Sequence, residues 1–294
     1  MKKSENIFAV FSPHSPLARA LAVFLLVGLA AAVSFPRENA LLSVSFLDVG
    51  QGDAIFIRTP SGKKMLIDGG PPSGAVLRAL GRSMDPFDRY LDIVVATHPD
   101  KDHIGGLAAV LERYRPSVFF FSSAEKDTSV FTDLRRAAEV RAKDGMRAFP
   151  VSRRARIDFG DGVIARILFP DRNMAGAESN AASVVISLSY GDTAFLFTGD
   201  LPAGGEKYLA RTRDVSADVL KLGHHGSRTS SSDEFLAAAG AVYGVVSAGR
   251  KNRYGHPHEE TLRRAASAGV RMFSTAEDGT LVFFSDGENI LPPR

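Results

Sequence analysis

The chain contains no cysteine. That excludes thiolate metal sites, cysteine nucleophiles and structural disulfides in one step. An excess of one charge sign is also missing: the formal net charge is only +3 over 294 residues. Part of that excess sits in residues 1–39, where Lys2, Lys3, Arg19 and Arg37 outnumber Glu5 and Glu38. The remainder is nearly neutral, so overall charge does not mark a nucleic-acid binder, and any such function must rest on local patches. No internal repeat or low-complexity linker is present. What remains is an ordinary globular composition, 45% hydrophobic and 23% charged with 27 glycines, enough for one large domain or two smaller ones.

One long apolar run stands out, residues 20–35, ALAVFLLVGLAAAVSF, preceded by Lys2, Lys3 and Arg19 and ended by Pro36 and Arg37. It reads as a signal peptide with Ala30-Ala31-Ala32 as the cleavage site, or as a membrane anchor. As an anchor it falls a little short of the roughly 20 residues a span needs, and Leu17 and Ala18 would extend it while Arg19 snorkels. The basic residues ahead of it favour a cytoplasmic N-terminus and an exported body, and the reading leans to an uncleaved anchor. Residues 1–39 are thus assigned as signal peptide or anchor helix and residues 42–294 as one domain.

In that domain the pattern changes to short strands and helices. Residues 44–49, 54–58 and 64–67 read as strands, the first two around the Gly50-Gln51-Gly52 turn. Residues 92–96 form a short apolar run of the fully buried type, ending just before His98. Further strands are expected at 118–121, 163–168, 183–188, 193–198, 242–247 and 281–284. Helices are expected at 73–82, 107–114, 132–143, 204–211, 233–239 and 259–268. This mixture indicates an α/β protein, a layered sheet sandwich covered by helices. Phe119-Phe120-Phe121 reads as core rather than as a base-stacking platform.

Chemistry concentrates where the buried strand ends. His98, Asp100, Asp102 and His103 fall within Thr97-His98-Pro99-Asp100-Lys101-Asp102-His103, a metal-binding composition delivered from a fixed strand end. Other pieces follow: Thr198-Gly199-Asp200, Gly223-His224-His225-Gly226-Ser227 and Gly255-His256-Pro257-His258. Of the seven histidines only His14 lies outside these segments. Glycine-flanked loops after strands are how a scaffold brings ligands from distant sequence to one place.

The segment THPDKDHIGG resembles the signature loop of metallo-β-lactamase-fold hydrolases. With Phe46-Leu47-Asp48-Val49-Gly50-Gln51-Gly52-Asp53-Ala54, Leu66-Ile67-Asp68-Gly69-Gly70, Phe197-Thr198-Gly199-Asp200 and Leu220-Lys221-Leu222-Gly223-His224-His225-Gly226-Ser227, it resembles the extracellular hydrolase domain of ComEC-type competence proteins. The resemblance spans about residues 43–285. It implies an αββα sandwich of two mixed sheets flanked by helices, preceded here by the N-terminal apolar helix. It also implies two divalent metal ions, zinc or manganese, and a phosphodiesterase or nuclease acting on DNA during uptake.

Carried over residue by residue, His98 and Asp100 go to one metal and Asp102, His103 and His225 to the other. Asp200 bridges them, and the attacking hydroxide lies between the ions. His224 faces the phosphate or leaving group, and Asp102 or His224 handles protons. Asp100 stands where the common motif has histidine, which would make the first site harder and more anionic. Asn180 stands near where a further histidine is expected.

Asp53 and Asp68 read either as turn residues or as carboxylates that orient the histidines. Ser227 and His256 are candidates for substrate contact, with His258 beside them. The basic runs Arg153-Arg154-Ala155-Arg156 and Arg250-Lys251-Asn252-Arg253, with Arg228, would hold phosphates if they converge on the metal cleft. Three other functions share these features: hydrolysis of a small phosphodiester or cell-wall phosphoester, hydrolysis of a lactone, and a non-catalytic module that binds DNA. No protein partner is indicated.

Overall fold

The computed structural model describes residues 41–151 and 155–293. The N-terminal apolar run, and Arg153 and Arg154 of the first basic patch, lie outside the described residues. Among those described, no helix is long and apolar enough to cross a membrane.

The chain forms two mixed sheets. The first contains β1 (Leu42–Phe46), β2 (Ile55–Arg58), β3 (Lys64–Ile67), β4 (Tyr90–Ala96), β5 (Arg115–Phe121), β6 (Arg147–Pro150), β14 (Leu281–Ser285) and β15 (Ile290–Leu291), in the order β15-β14-β1-β2-β3-β4-β5-β6. The second contains β7 (Arg156–Asp158), β8 (Val163–Phe169), β9 (Val185–Tyr190), β10 (Thr193–Phe197), β11 (Val219–Lys221), β12 (Tyr243–Val246) and β13 (Arg271–Ser274), in the order β13-β12-β11-β10-β9-β8-β7. Each sheet is antiparallel on one side and parallel on the other. The parallel ladders run from β3 to β6 and from β10 to β13.

Alternation decides which side chains meet. Val44, Phe46, Ile57, Ile67 and Val95 of the first sheet share one buried cluster with Ile186, Phe195, Phe197, Val219 and Val245 of the second. The intervening residues face outward onto helices. Phe56, Leu66, Val94 and Phe119 pack with α1 (Ala75–Ser83), α3 (Leu107–Arg113) and α4 (Ser129–Lys143). Val185, Leu196, Leu220 and Val246 pack with α5 (Ala203–Thr212), α6 (Asp233–Ala239) and α7 (Glu259–Ser267). Central strands are therefore apolar on both faces, as the run at 92–96 indicated. Burying one such large side chain is worth roughly 1.5–3 kcal/mol. Phe119, Phe120 and Phe121 belong to these cores, as their sequence suggested.

Five strands were not evident in the sequence. β6, β7, β11, β13 and β15 are two to four residues long. Leu47, Asp48 and Val49 leave the first strand early, and Ser183 precedes β9 rather than belonging to it.

The topology positions the site. In the parallel ladders the carboxyl ends of strands share one edge, where open α/β sheets place their functional groups. Asp68 follows β3, His98 follows β4, Asp200 follows β10, His224 and His225 follow β11, and Ser247 follows β12. Asp53 precedes β2, which runs antiparallel to β3 and so begins at the same edge.

Candidate metal centre

The short helix α2 (Lys101–Ile104) starts right after His98 and aims His103 inward. Gly52 lets the preceding turn come close to it: a Cβ at Gly52 would lie 2.0 Å from the Asp102 carbonyl oxygen. On the other side, His224, His225 and Gly226 are successively left-handed, with φ of 50°, 54° and 78°. That conformation is disfavoured for histidine. It is tolerated here inside a buried loop, where a Cβ at Gly226 would lie 2.6 Å from Pro257 Cβ.

The side chains converge on one atom. The Nε2 atoms of His103, His225, His98 and His224 lie 3.3, 3.4, 3.8 and 3.8 Å from Asp200 Oδ2. Ligand atoms of Asp53, His103, Asp200 and His225 all fall within 4.8 Å of one another, and all four residues are buried. Asp102 Oδ2 is 3.3 Å from His225 Nε2.

The opposite ring nitrogens are already engaged. His103 Nδ1 donates to Asp68 Oδ2 at 2.7 Å, and His225 Nδ1 donates to the Ser247 carbonyl at 2.8 Å. Thr97 Oγ1 donates to Asp68 Oδ2 at 2.6 Å, which leaves its oxygen to accept from His98 Nδ1 at 3.0 Å. Each of these three rings therefore turns Nε2 toward Asp200, the arrangement of metal-binding histidines with supporting partners. His98 Nε2 and Asp200 Oδ1 are buried without a hydrogen-bond partner. Buried polar atoms are seldom left so, and a divalent cation among these imidazole and carboxylate groups fits the donor set.

Electrostatics reinforces this. Burial, then the neighbouring charge of His103, pulls His98 down to about 4. Burial opposes charge on His103 and His225 too, but Asp200 and the other carboxylates outweigh it, holding His103 high and His225 at about 9. Asp200 stays far below the usual carboxylate range despite its burial, because His225, His103 and Lys221 surround it. A cation bound among these groups would compete with protons on His103 and His225.

In the sequence Lys221 stands out only as part of the Leu220–Ser227 motif. It is fully buried, pairs with Asp53, approaches Asp200 Oδ1 at 3.7 Å and donates to the Gly199 carbonyl at 3.0 Å. A lysine within Val219-Leu220-Lys221-Leu222 was the available signal. Thr97, Ser183 and Ser247 had none, being common residue types whose partners lie far off in sequence. Ser183 Oγ accepts from Asp200 N–H at 3.1 Å and lies 3.3 Å from His98 Nδ1.

The other expected residues divide. Asp53 and Asp68 are buried partners within the cluster, not solvated turn residues. Asp100 pairs with Lys126 at 2.8 Å and accepts from Ser179, and its charge also acts on His98. Asn180 follows Ser179, with its Oδ1 buried and unpartnered. His224 is partly exposed, its Nδ1 3.1 Å from Thr229 Oγ1, which also meets Ser227 Oγ at 3.0 Å. The His256 ring lies 5.5 Å from that of His224. His258 Nδ1 accepts from Arg228 N–H. Arg156 pairs with Asp158, and Arg250 donates to the Ala276 carbonyl.

The two-sheet α/β scaffold thus carries, at its strand ends, a buried histidine and aspartate cluster able to hold a metal ion. Residues 47–250 match the model of the metallo-beta-lactamase superfamily, and the chain belongs to that superfamily. Within it, the chain is 31% identical over 269 residues to competence protein ComA of Neisseria gonorrhoeae, covering 90% of this chain and 35% of that protein. It is 28% identical over 270 residues to ComE operon protein 3 of Bacillus subtilis, covering 85% of this chain and 34% of that one. The chain thus spans about a third of the length of these relatives.

Among solved structures it is similar in fold to CmlA, a diiron beta-hydroxylase from Streptomyces venezuelae, with TM-score 0.54 and 14% identity over 91% of this chain and 59% of that one. Zn(2+)-bound PqqB from Methylobacterium extorquens matches with TM-score 0.51 and 13% identity over 79% of this chain and 87% of that one.

Proposed function

We propose that the chain is a metal-dependent phosphodiesterase that cleaves DNA in the context of DNA uptake, with its catalytic domain exported and tethered by the N-terminal segment. The observation that carries the hydrolase reading is the convergence of four imidazole Nε2 atoms on Asp200 Oδ2. The likeness to competence proteins supports DNA as the substrate. His98, Asp102, His103, His225 and the shared Asp200 would hold two divalent ions, zinc or manganese. When bound, these would activate water and neutralise charge building on the phosphoryl oxygens.

The remaining steps belong to side chains of the chain. Asp68 keeps the His103 ring in the orientation that frees Nε2. Burial pulls the proton affinity of His224 below its ordinary value, with Asp200 opposing. A neutral His224 Nε2 at the exposed side of the cluster then accepts a proton or meets the phosphate. Asp102 is the alternative proton acceptor, its carboxyl held far below the usual range by His225 and His103 despite its burial. Ser227, Asn180 and His256 would contact the substrate.

The test is a cleavage assay on single- and double-stranded DNA with Mn²⁺ or Zn²⁺ and metal content verified. Cleavage that Asp200→Ala abolishes supports the reading. No cleavage with metals bound sinks it, and turnover confined to small phosphodiesters or lactones replaces the substrate. The tether is checked by fractionation, and catalytic domain retained in the cytoplasm refutes export.

A further inference from the structure

A cleft of about 470 Å³ opens beside the cluster, lined by Lys101 and Asp102 of α2 and by Lys251, Arg253 and Tyr254 of the loop after β12. Its volume lies within the roughly 300–1,000 Å³ of ligand-sized pockets. We propose that this cleft binds single-stranded nucleic acid, with phosphates on Lys101, Lys251 and Arg253 and a base stacked on Tyr254. The proposal rests on the phosphodiesterase reading and names the form of substrate that the same site takes.

Position is the first support. Asp102 lines the cleft and touches His225 Nε2 at 3.3 Å, so the cleft leads onto the metal cluster. Charge is the second. Three cations come together from two distant segments, all exposed, and none has a carboxylate within ion-pair distance among the described residues. Asp102 is the one acid in the lining, on the side next to the cluster, so three cations to one carboxylate suit a phosphate backbone.

The third support is a row of rings, the first pair stacked and the second edge to face. Tyr254 is 50% exposed, and its ring stacks on His256 at 5.7 Å and 22°. The His256 ring is in turn 5.5 Å from His224, which faces Asp200. Rings therefore run from the rim to the reactive centre. Arg253 is exposed, lies 5.0 Å over the Tyr254 ring and donates to Tyr254 Oη at 2.9 Å. It can move to a phosphate and yield that face to a base.

The loop is also built to hold this shape. The Asn252 side-chain amide donates to the carbonyls of Gly249 and His256 at 2.9 and 2.6 Å and accepts from the N–H groups of Tyr254 and His256 at 3.1 and 2.9 Å. Gly249 N–H donates to Gln51 Oε1 at 3.0 Å, pinning the loop to the opposite turn. A preorganised loop loses little entropy on binding. Bases in a duplex stack on each other and cannot reach Tyr254, so the geometry discriminates strand form.

Binding of a fluorescein-labelled oligothymidylate and of a hairpin duplex to the full chain, with metals chelated so that nothing is cleaved, tests this by anisotropy. Tyr254→Ala is expected to weaken single-strand binding roughly tenfold, the effect of losing one base–aromatic stack. Duplex binding should change less than about twofold, and Tyr254→Phe should bind like the parent. Lys251→Ala and Arg253→Ala should each flatten the salt dependence of strand binding, by about 0.7 in log–log slope. Unchanged single-strand affinity in Tyr254→Ala, or an equal loss on the duplex, overturns the proposal. The two readings separate cleanly. Strand binding through Tyr254 without any metal-dependent cleavage refutes the phosphodiesterase and leaves the cleft, while DNA cleavage with Tyr254→Ala binding normally refutes the cleft alone.

Discussion

Asp200 and Glu206 are both buried acids, set on either side of the entry into α5, and their surroundings drive them in opposite directions. Asp200 sits among imidazoles and Lys221, and its carboxyl is held far below the ordinary range. Glu206 meets mainly neutral groups, accepting from the N–H groups of Ser231 and Ser232 at 2.7 and 2.9 Å, and burial raises it to about 7. Equal burial thus gives one acid a charge that it keeps and the other a proton that it keeps until near neutrality. Neighbouring charge, not depth, separates a cation-binding carboxylate from one that anchors the loop after the paired histidines.

The comparison breaks most sharply at Asp200. Asp200→Ala should lower metal-dependent turnover at least about a thousandfold, roughly 4 kcal/mol in barrier, and reduce the metal retained. Kinetics and elemental analysis check this, and near-parental turnover would mean that the cluster is not the reactive centre.

Next in size is the counter-ion. Lys221→Met strands Asp53 and Asp200 in the interior, which should cost about 3–5 kcal/mol in metal-free protein. Adding Zn²⁺ or Mn²⁺ should restore part of it, because a bound cation takes over the charge. Urea midpoints with and without metal measure both effects. An unchanged midpoint would show that the pair carries no stability.

At Glu206 the sign follows from proton binding. Between its ordinary value of 4.5 and about 7 the unfolded chain has lost the proton while the native state retains it. Stability therefore falls as pH rises through this window, by about 3 kcal/mol, and nothing is lost below it. Glu206→Gln should flatten that decline in urea midpoints measured against pH. If the variant declines as the parent does, another group is responsible. The smallest effect is expected from Asp68→Asn, which loosens the hold on His103 and Thr97. Metal affinity measured by chelator competition should drop about 10- to 100-fold, and an unchanged affinity would make Asp68 purely structural.

Much of this was written in local sequence. The apolar run ending at His98, the clustering of six histidines into glycine-flanked loops and the alternation that fills the core between the sheets pointed to the fold and to the segments that meet. These signals are local because a strand's period and a loop's composition are local properties. The short strands β6, β7, β11, β13 and β15 left no such mark, since their pairing comes from neighbours already in place.

The site divides along the same line. Density of His and Asp made the Thr97–His103 segment and the paired histidines stand out, but not the atoms that each would face. Asp100 stood out by its spacing, but its partners Lys126 and Ser179, from other segments, were not legible in the sequence. Asp53 and Lys221 are joined only because β2 begins, and β11 ends, at the same edge of two different sheets.

What the sequence by itself determined is therefore the set of segments, the alternation that buries them and the chemical types able to hold a cation. Only the tertiary structure decided which carboxylate meets which imidazole, that a buried lysine balances the cluster, and that Lys101, Lys251, Arg253 and Tyr254 line one cleft. Ion pairs and hydrogen bonds act over a few ångströms in space, and chain separation does not encode that distance.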